Sequence, residues 1–198
     1  MISQELLESY QAKKKKFQKG EIIFKEGNQP SNYYQICVGE VKMCNFNDLG
    51  REFIQGIFQD GQSFGEPPLF LERAYPANAI DVSDCEIYIL PKTSFLDLVK
   101  NNFTISLAII EYLAQRLHYK SVMAAEISSQ EPEHRLLKLI DYYINFFKLK
   151  KAKEGFQILL TRQQMADLTG LRVETVIRAI KSLEKKNEIQ IINRKVFR

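Results

Sequence analysis

The chain has 198 residues, 45% of them hydrophobic, with 28 Lys and Arg against 24 Asp and Glu for a net charge of +4. That composition suits a packed globular protein of one large or two small domains; no apolar run approaches the roughly eighteen residues needed to span a bilayer, and Met1 to Phe17 lacks the apolar stretch of a signal peptide, so a cytoplasmic location away from membranes is expected. The charge is uneven: residues 1–130 carry 13 basic and 16 acidic side chains, a net of −3, whereas residues 131–198 carry 15 and 8, a net of +7, so a polyanion is drawn first to the C-terminal third.

Lys13 to Lys16 form a basic run that reads as a solvated surface. From about Lys15 to Leu90 short apolar runs (Glu21 to Lys25, Tyr33 to Val38, Glu40 to Asn45, Phe53 to Phe58, Asp84 to Leu90) are separated by Gly, Asn and Asp. Closely spaced short strands with such turns predict an antiparallel barrel or sandwich. Cys37, Cys44 and Cys85 sit inside these runs, an odd number without zinc spacing, and read as small buried side chains in a reducing compartment.

Beyond Pro91 a short helix (Thr93 to Lys100) leads into a long one from about Phe103 to Ser128, free of proline and glycine. It carries two apolar stripes. Ile109, Leu113, Met123 and Ile127 follow seam-like spacing, with Arg116 and Lys120 at the positions that continue the heptad, and Ile110, Leu117 and Ala124 mark a neighbouring face. One stripe is expected to pack on the barrel and the seam on the same helix of a second copy, giving a two-fold dimer. The two cations on that seam either snorkel to solvent or face an anion.

After a polar hinge at Ser128 to Pro132, a helix from Glu133 to Phe147 presents Leu136, Leu137, Ile140, Tyr143, Ile144 and Phe147 on one side. A basic connector (Lys148 to Gly155) and a strand (Phe156 to Leu160) follow. Thr161 and Gln164 fit a capping box that starts a helix at Arg162. Gly170 supplies the left-handed residue of a tight interhelical turn, and a second helix begins near Val173. On it Val176, Ile180 and Leu183 form a buried face, while Glu174, Ile177, Arg178 and Lys181 project from another.

Arginine reads guanine O6 and N7 in a major groove, glutamate accepts from a cytosine amino group, and an aliphatic side chain meets a thymine methyl. Glu174, Arg178 and Ile177 therefore make a plausible base-reading set, although Glu and Arg four apart also form ordinary surface ion pairs. Glu188 to Ile192 and Lys195 to Phe197 read as a hairpin, or wing, whose Arg194 and Lys195 suit phosphate contacts. Arg172 stands where a helix N-cap hydroxyl is usual; losing that cap costs about 1 kcal/mol, and the guanidinium is available to a phosphate.

With these motifs in place, nearly the whole chain resembles the CRP/FNR family of bacterial transcription regulators: the barrel turns, Phe64-Gly65-Glu66, Leu113-Ala114-Gln115-Arg116-Leu117 on the long helix, and the helix-turn-helix carry the likeness. The resemblance implies an α+β fold consisting of an N-terminal double-stranded β-helix of jelly-roll type (a cyclic-nucleotide-binding-like β-roll, residues 1–102), a long dimerisation helix and hinge (103–130) and a C-terminal winged helix-turn-helix (131–198). It implies a homodimer on palindromic double-stranded DNA, with RNA polymerase as a further partner for an activator. Val173-Glu174-Thr175-Val176-Ile177-Arg178 is closer to the FNR-like pattern than to the CRP-like one, which has Arg where Val173 stands. By that likeness Glu174 and Arg178 read a G-A step.

The expected DNA-contacting set is thus Thr161, Arg172, Val173, Glu174, Ile177, Arg178, Lys181, Arg194 and Lys195. The effector pocket implied by the resemblance comprises Phe64, Gly65, Glu66, Arg73, Pro76, Ala77, Lys120 and Ser121. Pro76 and Ala77 stand where cAMP binders place the Arg and Ser that hold the cyclic phosphate, and only one of two adenine-contacting hydroxyls is kept, at Ser121. An effector other than cAMP is therefore expected, if any. An iron-sulfur cluster would need four cysteines, and His118 and His134 lack the rest of a haem site, so no metal or cofactor is required. No nucleophile with a positioned base appears, which argues against an enzyme. The competing reading is a binding module for an anion or nucleotide, near Arg116 and Lys120, whose DNA contact is accessory.

Overall fold

The structure is a computed structural model that describes residues 1–129 and 131–198; the part of the expected hinge that falls on Gln130 lies outside the described residues. The chain divides into two compact units, Met1–Leu113 and Ala114–Arg198, so the boundary falls inside the long helix.

The first unit opens with α1 (Gln4–Ser9), N-capped by Ser3, whose hydroxyl accepts from Leu6 N. Eight strands follow: β1 (Lys13–Phe17), β2 (Ile22–Phe24), β3 (Asn32–Val38), β4 (Val41–Phe46), β5 (Glu52–Phe58), β6 (Ser63–Phe64), β7 (Asn78–Asp81) and β8 (Cys85–Pro91), with α2 (Pro67–Leu71) between β6 and β7. They form two four-stranded sheets, ordered β1-β8-β3-β6 and β2-β7-β4-β5, and each pair in them is antiparallel. This is the jelly-roll-like β-roll.

Alternation along β3 and β8 explains the layering, since successive side chains of a strand point to opposite faces. Tyr34, Ile36, Cys85 and Ile87 point between the sheets, where they meet Phe24, Met43, Phe58 and Ala79 from the opposing sheet. Tyr33, Tyr88 and Leu90 point the other way, into a second core with Leu7, Leu69, Phe95, Leu98 and Ile109. Phe95 stacks on Tyr33 with centroids 4.4 Å apart. The β1-β8-β3-β6 sheet is therefore covered on its outer face by α1, α3 (Lys92–Asn101) and the start of α4 (Phe103–Ser129). Tyr112 of α4 donates from its hydroxyl to Ser63 O at 3.0 Å.

Three strands of this unit escape the apolar-run pattern. The Lys13 to Lys16 run is exposed, as expected of a solvated surface, yet it is the edge strand β1, registered against β8; lysines on an edge strand discourage pairing with other chains. β6 spans two residues and β7 reads Asn-Ala-Ile-Asp, too short or too polar for a run to show. Cys44 and Cys85 are buried and Cys37 is half-buried, all as free thiols. Burial pushes the Cys85 thiol up to about 12, which keeps it protonated and inert.

In the second unit α5 (Pro132–Phe146) packs on α6 (Arg162–Thr169) and α7 (Val173–Lys185), and a three-stranded sheet is ordered β10 (Gln190–Ile192), β11 (Lys195–Phe197), β9 (Gln157–Ile158). The buried face of α5 is Arg135, Leu136, Leu139, Ile140 and Tyr143. Relative to the expected face, Leu139 is inside while Leu137 and Ile144 are only half-buried. On the α4 side Tyr119 stacks on Tyr142 of α5 at 3.6 Å.

Asp81 on β7 is only 2% exposed, and neither carboxyl oxygen meets a hydrogen-bonding partner at good geometry. Burial raises its pKa to about 6; the neighbouring Cys85 thiol, a weak donor, offsets part of that rise and Glu21 adds to it. Because the folded value lies above the unfolded one, the native state binds the extra proton between about pH 4 and 6, and stability falls as pH rises through that window. Replacing Asp81 with Asn should raise the thermal midpoint at pH 7.5, by a stability gain on the order of 2 kcal/mol, and the gain should vanish near pH 4. Melting curves of the two proteins across pH 4 to 8 check this; parallel profiles would contradict it.

Candidate nucleic-acid interface

The second unit assembles its surface from three local devices. The first is the start of α6: Gln164 N donates to Thr161 Oγ1 at 3.1 Å and Thr161 N to Gln164 Oε1 at 2.8 Å, a complete capping box. The second is Gly170, the left-handed C-cap of α6 with φ 70°, after which Leu171 N reaches Ala166 O and the chain re-enters a helix at Val173. The third is the Asn193-Arg194 turn between β10 and β11, both residues at positive φ, the signature of a type I′ hairpin turn.

On α7, Val176, Ala179, Ile180 and Leu183 are buried, while Glu174, Ile177, Arg178 and Lys181 are exposed. The amphipathic division anticipated along this helix is present. No ion pair joins Glu174 to Arg178 among the described residues; Arg178 Nη2 instead lies 3.5 Å from Thr175 Oγ1. Both long polar side chains are thus available to a ligand. Arg172 has helix N-cap geometry without a side-chain cap, and it is exposed, whereas Val173 is half-buried.

Thr161, Ile177, Lys181, Arg194 and Lys195 line a single cleft of about 630 Å³ between α7, the start of α6 and the wing. Arg162 lines it too, with Nη2 3.4 Å from Arg194 O. Burial lowers its pKa from the usual arginine value, as expected for a cation held in a cleft without a carboxylate. Arg162 was not anticipated as a contact; its sequence signal is its place at the first position of the capped helix.

A second unanticipated residue is Arg135. It is buried, yet its guanidinium donates to Thr169 O at 3.1 Å, Ile127 O at 3.2 Å and Glu126 O at 3.4 Å. These carbonyls belong to the last turn of α6 and the C-terminal part of α4. A cation among helix C-terminal carbonyls is favoured both by hydrogen bonding and by the helix dipole. Arg135 therefore ties the long helix to the turn of the helix-turn-helix. Its only signal in the sequence is position, four residues before Leu139 on the buried face.

The long helix reverses the expected stripe assignment. Ile109 and Met123 are 3% and 6% exposed, packed within their own chain, and Leu113 is half-buried. Of the expected seam, Ile127 and Lys120 are exposed and Arg116 is half-buried. The neighbouring stripe is the bare one: Ile110 is 61% and Leu117 66% exposed, and Phe103 and Leu107 are exposed with them. Together with exposed Ala114, Ser121, Ala124 and Ser128 they step along α4 by alternating intervals of four and three, which is coiled-coil spacing. A shift of one residue rotates a helix face by about 100°, and neither Arg116 nor Lys120 belongs to this bare stripe.

Of the effector-pocket set, Phe64, Gly65, Glu66 and Ala77 are buried in the β-roll, while Arg73 and Pro76 are exposed. Lys120 and Ser121 belong to the second unit; both are exposed, and Ser121 Oγ bonds back to Leu117 O at 3.0 Å. No cluster of metal-ligating side chains occurs among the described residues, and no helix among them is long and apolar enough to cross a membrane.

A β-roll, a long helix with a bare apolar stripe and a winged helix-turn-helix define the class of regulators that join a sensor-type domain to a DNA-reading domain. Residues 14–102 match the cyclic nucleotide-binding domain model and residues 134–197 the Crp-like helix-turn-helix domain model. The chain is 29% identical over 167 residues to the cAMP-activated global transcriptional regulator CRP of Haemophilus influenzae, spanning 82% of this chain and 73% of that protein. It is 27% identical over 178 residues to its counterpart in Pasteurella multocida, spanning 88% and 84%. Among solved structures it superposes on a CooA mutant from Carboxydothermus hydrogenoformans with a TM-score of 0.81 at 15% identity, covering 100% of this chain and 87% of that one. For FixK2 from Bradyrhizobium japonicum the TM-score is 0.76 at 18% identity, with 94% and 91% covered. The chain belongs to the CRP/FNR family of transcription regulators.

Replacing Arg135 with Met should cost about 2–3 kcal/mol, because three helix-end carbonyls lose a charged donor in a buried site. Urea unfolding monitored by circular dichroism measures it. A loss below about 0.5 kcal/mol, the scatter of ordinary surface substitutions, would show that the guanidinium is dispensable.

Proposed function

We propose that the protein is a homodimeric, sequence-specific DNA-binding regulator that reads each half of a palindromic promoter site with Glu174 and Arg178 of α7. The observation that carries this reading is the pair itself, exposed and unpaired with each other on the helix that follows the Gly170 turn. Ile177, one turn of helix from Glu174, offers a methyl-sized apolar contact beside them. Lys181, Arg194, Lys195, Thr161 and Arg162 surround the cleft next to this helix and supply phosphate contacts, with Arg172 at the helix start. The excess of basic residues after position 131 supplies the long-range attraction.

Dimerisation follows from the bare stripe on α4. Large apolar side chains in a row along one helix face need a cover, and a second copy of the same helix matches the four-three spacing, with Ala114, Ser121 and Ala124 letting the two backbones approach. A two-fold dimer places its recognition helices about 34 Å apart, one turn of B-DNA. RNA polymerase is the further partner for an activator.

Anisotropy titrations on a duplex selected from random oligonucleotides test the reading. Arg178→Ala should lose about 1–3 kcal/mol of discrimination at one base pair of each half-site, whereas Lys195→Ala should weaken all duplexes alike and reduce the salt slope by about 1. Equal losses on selected and random DNA for both variants would refute base reading by Arg178. The double variant Ile110→Glu with Leu117→Glu should sediment as a monomer and bind the palindrome no more tightly than a single half-site; a dimer that survives it would refute the seam.

A further inference from the structure

The space between the two sheets of the β-roll is filled by the chain's own aromatic rings. Phe24 and Tyr75 stack face to face with centroids 3.7 Å apart and planes 12° from parallel. Phe24 also meets Tyr34 at 5.5 Å and Phe64 at 6.0 Å. All four rings are buried. The stacked pair lies directly against the Gly65 turn: a Cβ built there would come within 2.9 Å of Phe24 Cζ and 3.2 Å of Tyr75 Cε1. Gly65 has φ 75°, so glycine is required both by backbone conformation and by the rings that face it.

Tyr75 is anchored on its backbone. Tyr75 N donates to Asn28 O, and Gly27 N donates to Tyr75 O, each at 2.9 Å. Burial pushes its phenol well above the usual range, so the ring is neutral. The polar groups around the turn are also engaged. The Glu66 carboxylate is fully buried and accepts from the Ser63 hydroxyl three residues earlier, and Ser63 O accepts from Tyr112 of α4. Ala77 is buried and brings only a methyl group, and Pro76 has no N–H to offer. A nucleotide entering here would have to expel two stacked rings and leave a charged phosphate beside apolar groups, and burying a charge without a partner is strongly unfavourable.

We propose that Phe24 and Tyr75 are specificity determinants of the β-roll: their stacked rings occupy the volume against the Gly65-Glu66 turn, so the domain takes no cyclic nucleotide and duplex binding requires none. The statement about nucleotides stands on the β-roll alone; the statement about duplexes rests on the DNA-binding reading above.

Calorimetric and thermal-shift titrations of the full-length protein with cAMP and with cGMP should show no saturable heat and no rise in the midpoint. The double variant Pro76→Arg with Ala77→Ser restores a charged anchor but leaves the rings in place, and it should remain silent. Saturable binding by the wild type, or by this double variant, overturns the proposal, the latter by showing that only the anchor was missing. Tyr75→Ala should open a phenol-sized space, so p-cresol should raise its thermal midpoint and leave the wild type unmoved; stabilisation of both or of neither overturns the assignment of that volume to the ring. The first two titrations decide the matter even if Tyr75→Ala does not fold. The duplex Kd of the wild type should be unchanged by either nucleotide, and a nucleotide-dependent gain in affinity overturns the proposal. A protein that binds neither nucleotide nor duplex upholds the filled β-roll and sinks the DNA-binding reading instead.

Discussion

The burial of both faces of the β1-β8-β3-β6 sheet is the constraint from which the first unit follows. One face is closed by the opposing sheet through Tyr34, Ile36 and Ile87, the other by α1, α3 and α4 through Tyr33, Tyr88 and Leu90. A sheet used on both sides cannot alternate between apolar and polar residues, so β3 and β8 read as nearly continuous apolar runs. The same arrangement seats the beginning of the long helix: Ile109 enters the outer core and Tyr112 bonds to Ser63 beside the Gly65 turn. With that side of α4 committed, its other apolar side, with Ile110 and Leu117, stays exposed.

In the second unit the corresponding constraint is the satisfaction of helix ends. Thr161 and Gln164 close the start of α6, Gly170 turns its end, and Arg135 collects the terminal carbonyl of α6 together with two from α4. These are backbone groups that must find partners when removed from water. Once they have them, α7 is held with its apolar face inward and Glu174, Ile177, Arg178 and Lys181 outward. The wing then brings Arg194 and Lys195 to the same cleft.

Much of this was legible beforehand because it depends on local patterns. The capping box, the Gly170 turn and the 3.6-residue periodicity of α7 involve neighbours within a turn or two, so the winged module and its outward residues could be placed from spacing. The strands with clear apolar runs, β3, β4, β5 and β8, were visible for the same reason. β6 and β7 were not, since one has two residues and the other places polar Asn78 and Asp81 around a single apolar pair, its pairing with β2 and β4 fixing it as a strand. Arg135 and Arg162 were missed because a guanidinium carries no periodic signal; what makes each one matter is a set of groups far away in the chain.

The two stripes of α4 mark the division most sharply. The sequence by itself determined that this helix is long, unbroken and apolar on two sides, because those properties are counts along one element. Which stripe faces inward was decided by the tertiary structure, where the outer core of the β-roll takes Ile109 and leaves Ile110 and Leu117 bare. Likewise the family resemblance sets Pro76 and Ala77 where cAMP binders place a phosphate anchor, but the stacking of Phe24 on Tyr75 against the Gly65 turn is not legible in the residues. Those rings lie 51 positions apart, one on β2 and the other just before its partner strand β7, and packing of that kind is a property of three-dimensional neighbours.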